Sequence, residues 1–267
     1  MLWFNRNSET CSNLLLLENP QINLGFLSLN RNFASSNWDC LMKKDFVLEA
    51  TVVVCFLLTV AWFFCPVGKP EGESVLFAMR LALPAVVLAV GSLWLRPRLM
   101  MMAFWFCALG DAMGVLGSFE GQMGGFALAH ICFILYFIKG IRKGNVQPAV
   151  IAAISSVCLI PLVVAAWKVI PAVHCLPIRI GCSVYALLLT GTVWTSAVRA
   201  LTVCDSRKTL PLLAALGGIL FLVSDFVLAW NKFAEHISNA SLCIMSTYYA
   251  ALLLLFMGTY DFSSKKT

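Results

Sequence analysis

The sequence predicts an all-α membrane protein, a bundle of about eight transmembrane helices with both termini in the cytosol. Three observations predict it. Hydrophobic residues make up 60% of the 267 and charged residues only 12%, with a mean hydropathy of +0.86, where soluble domains carry about 25% charged residues. The apolar residues fall into runs of roughly 17–25, the length a helix needs to cross a bilayer. The basic residues crowd into alternate connections between those runs.

Residues 1–42 come first and read differently from the rest. They are Asn- and Ser-rich, and their one apolar run, Leu14–Leu17, is too short to span. They lack the basic start, apolar middle and small-residue cleavage site of a signal peptide, and read as a disordered cytosolic extension. The membrane domain occupies residues 43–262, with spans at Phe46–Cys65, Val75–Leu95, Leu99–Leu116, Gln122–Ile138, Gln147–Trp167, Ile178–Val198, Leu210–Trp230 and Ala240–Tyr260. The third and fourth are short, and the segment Val169–Pro177 is able to lengthen either neighbour. Pro84 and Pro161 fall inside spans, which membrane helices tolerate when neighbouring groups take up the freed carbonyls. Residues 263–267 form a cytosolic tail.

Charge tests the count independently. With the N-terminus and every second connection on one side, that side holds Lys43, Lys44, Arg96, Arg98, Lys139, Arg142, Lys143, Arg199, Arg207, Lys208, Lys265 and Lys266. The other side holds Lys69, Lys168, Arg179 and Lys232. Twelve against four is a strong positive-inside bias, and losing one span would scramble it. The Lys265-Lys266 pair reads equally as flanking charge or as a retention address that would keep the protein in the endoplasmic reticulum. Asn239-Ala240-Ser241 fits the glycosylation pattern on the lumenal side, but lies too close to the eighth span to be modified. The net charge of +6 is spread over short connections and makes no basic face for nucleic acid. Eleven cysteines form no Cys-x-x-Cys pair, and most sit in apolar runs as small hydrophobes. The oligomeric state is not legible.

An ionisable side chain in hydrocarbon costs about 2.5–3.5 kcal/mol on insertion scales. Five stand out: Glu49, Arg80, Asp111, His130 and Asp225. Glu49 lies one turn into the first span and can snorkel to the interface. At 1.5 Å per residue, Asp111 and Asp225 lie roughly 8 Å short of the lumenal ends of the third and seventh spans. On the same scale Arg80 lies roughly 8 Å and His130 roughly 12 Å in from that side, and Tyr248 and Tyr249 about 12–14 Å in. Four ionisable groups and two phenols thus share one lumenal-side layer. Ala108-Leu109-Gly110-Asp111 and Leu222-Val223-Ser224-Asp225 echo one another on spans of equal orientation, and Gly110 and Ser224 let neighbouring helices approach closely.

Two carboxylates in a low-dielectric layer do not ionise alike, so one can donate a proton while the other stays an anion. That division suits reactions that pass through an oxocarbenium ion. No Gly-x-Ser-x-Gly elbow is present. A metal on Asp111, His130 and Asp225 is conceivable, but zinc usually needs more than one histidine or thiolate, and the reading calls for no metal and no cofactor. A structural layer in which the charges pair only to fix packing remains open, as does a proton-coupled transporter or a lipid-binding bundle without turnover, since intramembrane aspartates also serve proton relays.

The segments FCALGDAMGVL, FALAH, LFLVSDFVLAWNKF and IMSTYYAALLLL resemble the YhhN-type membrane family of lysoplasmalogenases, in particular its vertebrate transmembrane-protein-86 branch. The resemblance runs from about Phe46 to Tyr260. Its matching residues are Gly110-Asp111, Phe126-Ala127, His130, Ser224-Asp225, Ala229, Asn231-Lys232-Phe233 and Ser246-Thr247-Tyr248-Tyr249. Four positions depart from the family pattern: Phe133 stands for a tyrosine, Gln122 for a glycine, Leu252 for a glutamine and Arg80 for a lysine. The resemblance implies a multi-pass hydrolase of lipid metabolism. It would cleave the vinyl ether of a lysophospholipid held in the membrane, giving a fatty aldehyde and glycerophosphoethanolamine or glycerophosphocholine. Asp111 and Asp225 would divide the acid and base roles and His130 would orient water or relay a proton. Arg80 and Lys232 would hold the phosphate, while Ser224, Asn231, Tyr248 and Tyr249 would line the pocket.

Overall fold

The computed structural model describes residues 44–65, 78–141, 147–202 and 209–259. The expected extension over residues 1–42, with Leu14–Leu17, and the expected tail at 263–267, with Lys265-Lys266, lie outside the described residues. Contacts divide the chain into residues 1–48 and 49–267. Of the first unit only residues 44–48, the opening of the first helix, are described.

Among the described residues there are eight helices and no strand. They are α1 (Lys44–Phe64), α2 (Leu83–Leu95), α3 (Arg98–Val115), α4 (Phe119–Gly140), α5 (Pro148–Val164), α6 (Leu176–Thr202), α7 (Thr209–Ala229) and α8 (Ala240–Gly258). A 3₁₀ turn, Met79–Leu81, leads into α2. Beyond Pro161, α5 runs on through a π-helical turn, Ala165–Val169, and a 3₁₀ turn, Ile170–Ala172. A second π-helical turn, Trp230–Ala234, extends α7. Seven helices are long and apolar enough to cross a membrane, and α2, with 13 residues, is the shorter exception. The chain is an integral, multi-pass membrane protein.

Of the expected second span, Val75–Leu95, residues 75–77 lie outside the described residues, the 3₁₀ turn Met79–Leu81 takes the next part and α2 the rest. Pro84 stands in the first turn of α2 rather than inside a longer helix, at the one place where its missing N–H costs nothing. The ambiguous segment Val169–Pro177 divides: Val169–Ala172 lengthens α5, and α6 begins at Leu176. Between α3 and α4 the reversal turns on Gly117, at φ +79°, and Ser118 Oγ accepts from Gly121 N at 3.1 Å to start α4. A connection this short makes α3 and α4 antiparallel neighbours.

Six helices close a ring in the order α2, α3, α4, α6, α7, α8, with α8 returning to α2. In a bilayer there is no hydrophobic force between helices, so close backbone packing has to hold them. A Cβ on Gly125 would stand 2.7 Å from Gly110 Cα, so α3 and α4 touch through bare backbone. A Cβ on Gly258 would overlap Ala214 N, which joins α7 to α8 in the same manner. Inside the ring Phe104, Phe133, Phe137, Phe221 and Phe256 are fully buried. Helix α5 packs outside against α6 and keeps Val157, Ile160, Val163 and Trp167 exposed. Glu49 does not merely snorkel to the interface. It accepts from Arg96 Nη2 at 2.6 Å, while Arg96 Nε donates to Phe256 O at 2.8 Å and the guanidinium lies 3.8 Å from the Phe256 ring centroid. That cluster ties α1 to the ring.

Candidate functional site

The ring holds a half-open cavity of about 290 Å³. A water needs only about 10–15 Å³ by the same measure, so the chamber has room for several waters or a polar group of a ligand. Asp111 of α3 and Asp225 of α7 both line it, together with Ser224, Asn231 of the π turn, and Tyr248 of α8. Gln122 and Phe126 of α4 form one wall, Ser241, Ile244 and Met245 of α8 another, and Leu81 of the 3₁₀ turn closes it. The two carboxylates, 2% and 6% exposed, meet little but this chamber and their protein partners.

Each aspartate has one phenol. Tyr248 Oη donates to Asp111 Oδ2 at 2.8 Å, and Tyr185 Oη, from α6, donates to Asp225 Oδ2. Small neighbours seat both acids. Gly110 makes room for the Phe126 ring, whose Cδ1 would lie 2.8 Å from a Cβ there. Ser224 Oγ donates to Ile244 O at 3.0 Å, which draws α7 onto α8 beside Asp225. The π turn after α7 widens the helix by one residue per turn, a feature frequent at functional sites, and Asn231 on it lines the chamber. Asn231 Oδ1 accepts from Ile237 N at 2.8 Å, pinning the connection to α8.

A second, narrower cavity of about 70 Å³ runs between α4, α5, α6 and α7. Its walls are almost wholly apolar, from Phe119 and Met123 to Leu162, Val169, Leu189 and Leu222. Gln122, Phe126, Asp225 and Leu228 belong to the walls of both cavities. Asp225 therefore stands between them, whereas Asp111 faces the polar chamber alone.

The other predicted residues take different places. His130 is fully buried and lines neither cavity. Its Nδ1 lies 2.9 Å from Thr192 Oγ1. Since that hydroxyl donates to Leu188 O at 3.2 Å, Nδ1 carries the proton in this network and Nε2 has no hydrogen-bond partner. The ring stands edge-on to Phe221 and Tyr185, with centroids 4.7 and 5.6 Å away, one side chain behind the chamber wall. Tyr249 turns away from the chamber, its Oη donating to Leu81 O at 2.9 Å and its ring set against Phe56 and Phe63. Arg80 is half-buried, 5.5 Å from the Phe63 ring centroid. Lys232 is exposed, its Nζ 4.6 Å from the Phe119 ring centroid. Neither cation lines the chamber, though each adjoins a residue that does, Leu81 and Asn231. Of the positions that depart from the family pattern, Gln122 borders both cavities, while Phe133 and Leu252 are fully buried in helix packing away from both.

Tyr185 is the site residue that sequence reasoning missed. It is a lone phenol in an apolar run, seven residues past Ile178, at a depth of about 11 Å by the same arithmetic that found the others. Among the described residues no three His, Cys, Asp or Glu side chains come together as a group that could hold a metal ion.

A ring of apolar helices around two buried carboxylates, with a partly polar chamber and an apolar cavity beside it, defines a membrane protein with an acidic intramembrane site. The model of the YhhN family matches residues 74–259, and the chain belongs to that family. It is 30% identical over 208 residues to human lysoplasmalogenase TMEM86B, covering 75% of this chain and 82% of that protein. The mouse lysoplasmalogenase TMEM86B is 27% identical over 224 residues, 82% of this chain and 89% of its own length. Bovine lysoplasmalogenase TMEM86A is 29% identical over 163 residues, 58% and 62% of the two chains. No solved structure matches the chain significantly.

Proposed function

We propose that this protein hydrolyses the vinyl ether of lysoplasmalogens, releasing a fatty aldehyde and glycerophosphoethanolamine or glycerophosphocholine. The observation that carries the reading is that Asp111 and Asp225, both buried and on separate helices, wall one chamber. Membership of a family whose curated relatives are named lysoplasmalogenases supports it. Hydrolysis of an enol ether begins with a proton on the carbon beyond the one bonded to oxygen. The π pair of the double bond makes that C–H bond and leaves an oxocarbenium ion. Water adds to the cationic carbon and loses a proton. The hemiacetal then collapses, breaking its bond to the glycerol oxygen, which is protonated, while its hydroxyl hydrogen leaves to give the aldehyde. One carboxylic acid and one carboxylate serve every step: the acid supplies the first proton, the anion steadies the cation and takes the proton from water. After collapse both have returned to their starting states.

Tyr248 and Tyr185 hold the two carboxylates in place, Ser224 and Asn231 border the glycerol, and Arg80 and Lys232 receive the phosphate at the chamber mouth. Tyr249 braces the turn that carries Arg80, and His130 supports Tyr185 from behind. With both termini in the cytosol the chamber opens toward the lumenal leaflet, and the endoplasmic reticulum is the membrane in which we place it.

The test is aldehyde release from lysoplasmenylethanolamine by the purified protein in lipid vesicles. Turnover in D₂O is expected to give an aldehyde with one deuterium on its α-carbon, the mark of carbon protonation. Full activity in both Asp111→Asn and Asp225→Asn would exclude the carboxylate mechanism. Lipid-coupled proton flux without aldehyde would make the protein a carrier.

A further inference from the structure

The chamber accounts for a polar head but not for the apolar cavity beside it. Along α6 that groove runs from Cys182 to Thr190 and along α5 from Pro161 to Ile170, a length of about 12 Å at the helical rise. Its outer wall is the most exposed helix of the ring's surroundings, and that wall is irregular. Pro161 deletes a helical hydrogen bond and the next turn is π-helical, and this π turn meets the π turn of α7. Irregular backbone at membrane depth is tolerated where protein covers it or it borders a cavity. Here the π turn of α5 borders the groove through Ala165 and Val169, and that of α7 borders the chamber through Asn231. Apolar walls inside a bilayer offer no attraction to a polar group, so a hydrocarbon chain is the ligand chemistry that fits, and the groove is far narrower than the chamber.

We infer that the groove between α4, α5, α6 and α7 binds the single hydrocarbon chain of a lysophospholipid, passing Asp225, so that Asp225 and not Asp111 faces the first carbons of the chain. The occupant follows from adjacency. Gln122, Phe126, Asp225 and Leu228 border both cavities, so a molecule with one polar head and one chain matches the pair, the head in the chamber and the chain in the groove. The bond that reacts rests on the hydrolase reading, and the chain site does not. In an alkenyl ether the carbon to be protonated lies on the chain side of the oxygen and the glycerol on the other. A chain in the groove therefore makes Asp225 the proton donor to that carbon. Asp111, confined to the chamber, is the anion that takes the proton from the incoming water and returns it to the glycerol oxygen. Asp225 recovers its proton from the hemiacetal hydroxyl.

Two measurements on the full-length protein in phosphatidylcholine vesicles test the site. An ester-linked lysophosphatidylethanolamine with a diazirine at the chain end needs no turnover. On irradiation it is expected to label α5 and α6 within residues 161–190, with labelling suppressed by unlabelled lysophosphatidylethanolamine but not by the diacyl lipid. Label confined to other helices, or equal competition by the diacyl lipid, overturns the chain site. For turnover, Ala165→Trp and Ala186→Trp fill the groove from opposite walls. Each is expected to lower the ratio of kcat/KM for a sixteen-carbon alkenyl substrate to that for a four-carbon one at least tenfold. An unchanged ratio in both variants overturns the inference. Groove labelling without aldehyde from any substrate would sink the hydrolase reading and leave the chain site standing.

Discussion

Asp111 and Asp225 look alike in the sequence, each after a small residue in an apolar helix, and in the fold each takes a hydrogen bond from one tyrosine. Their surroundings differ. Asp111 has the polar chamber on its open side and Tyr248 from α8 as partner, while Asp225 also borders the apolar groove and has its partner, Tyr185, on the groove wall. Equal chemistry thus becomes unequal through what lies one side chain further out. The local repeat positions two carboxylates, and the asymmetry between α5 on one flank and the closed ring on the other gives them different surroundings.

The strongest way to break this comparison is to neutralise each acid in turn. A positioned acid contributes typically 10²–10⁴-fold, so Asp225→Asn is expected to lower kcat about 10³-fold, or ~4 kcal/mol. Asp111→Asn, which retains the proton donor, should lose about 10²-fold, ~2.7 kcal/mol. Single-turnover aldehyde release measures both, and equal losses would show that the groove does not separate their roles.

A smaller effect comes through the scaffold of one aspartate alone. Gly125→Ala drives a methyl into Gly110 beside Asp111, and overpacking costs about 1–3 kcal/mol. Its unfolding midpoint in mixed micelles is expected to fall, whereas Gly124→Ala, with nothing within 4 Å of its Cβ, should not move it. A neutral Gly125→Ala would remove close backbone packing as the device that seats Asp111. Subtler still are the phenols. Tyr185→Phe and Tyr248→Phe each delete one hydrogen bond to a carboxylate, an interaction of about 1.5–3 kcal/mol when one partner is charged. Each should reduce kcat roughly tenfold with KM held within twofold. The chain-length ratio should drop further in Tyr185→Phe, because Tyr185 lines the groove and Tyr248 does not.

Much of the architecture was legible because a bilayer imposes it. Backbone groups in hydrocarbon must be satisfied within the helix, so span length and the cost of ionisable groups translate directly into a helix count and a shared depth. That reasoning reached Asp111, Asp225 and Tyr248, and the family resemblance added Ser224 and Asn231; all five line one chamber. It misjudged Pro84, because a proline reads alike in the body of a span and in its first turn. It grouped Tyr249, His130 and Tyr248 by depth, although adjacent residues on a helix point about 100° apart and depth carries no azimuth. Tyr185 was overlooked because a lone phenol in an apolar run does not show which helix it faces. Its partner lies on α7, forty residues further along the chain.

Hydropathy, span length and charge along the chain were thus enough to establish a multi-pass helical membrane protein with an acidic layer, since those properties depend on each helix separately and on the solvent it crosses. The closure of six helices into a ring, the pairing of each aspartate with a distant phenol and the placing of a polar chamber beside an apolar groove depend on which helix faces meet. Those contacts come from the rotation and close approach of helices remote in sequence, which no periodicity within a single span encodes.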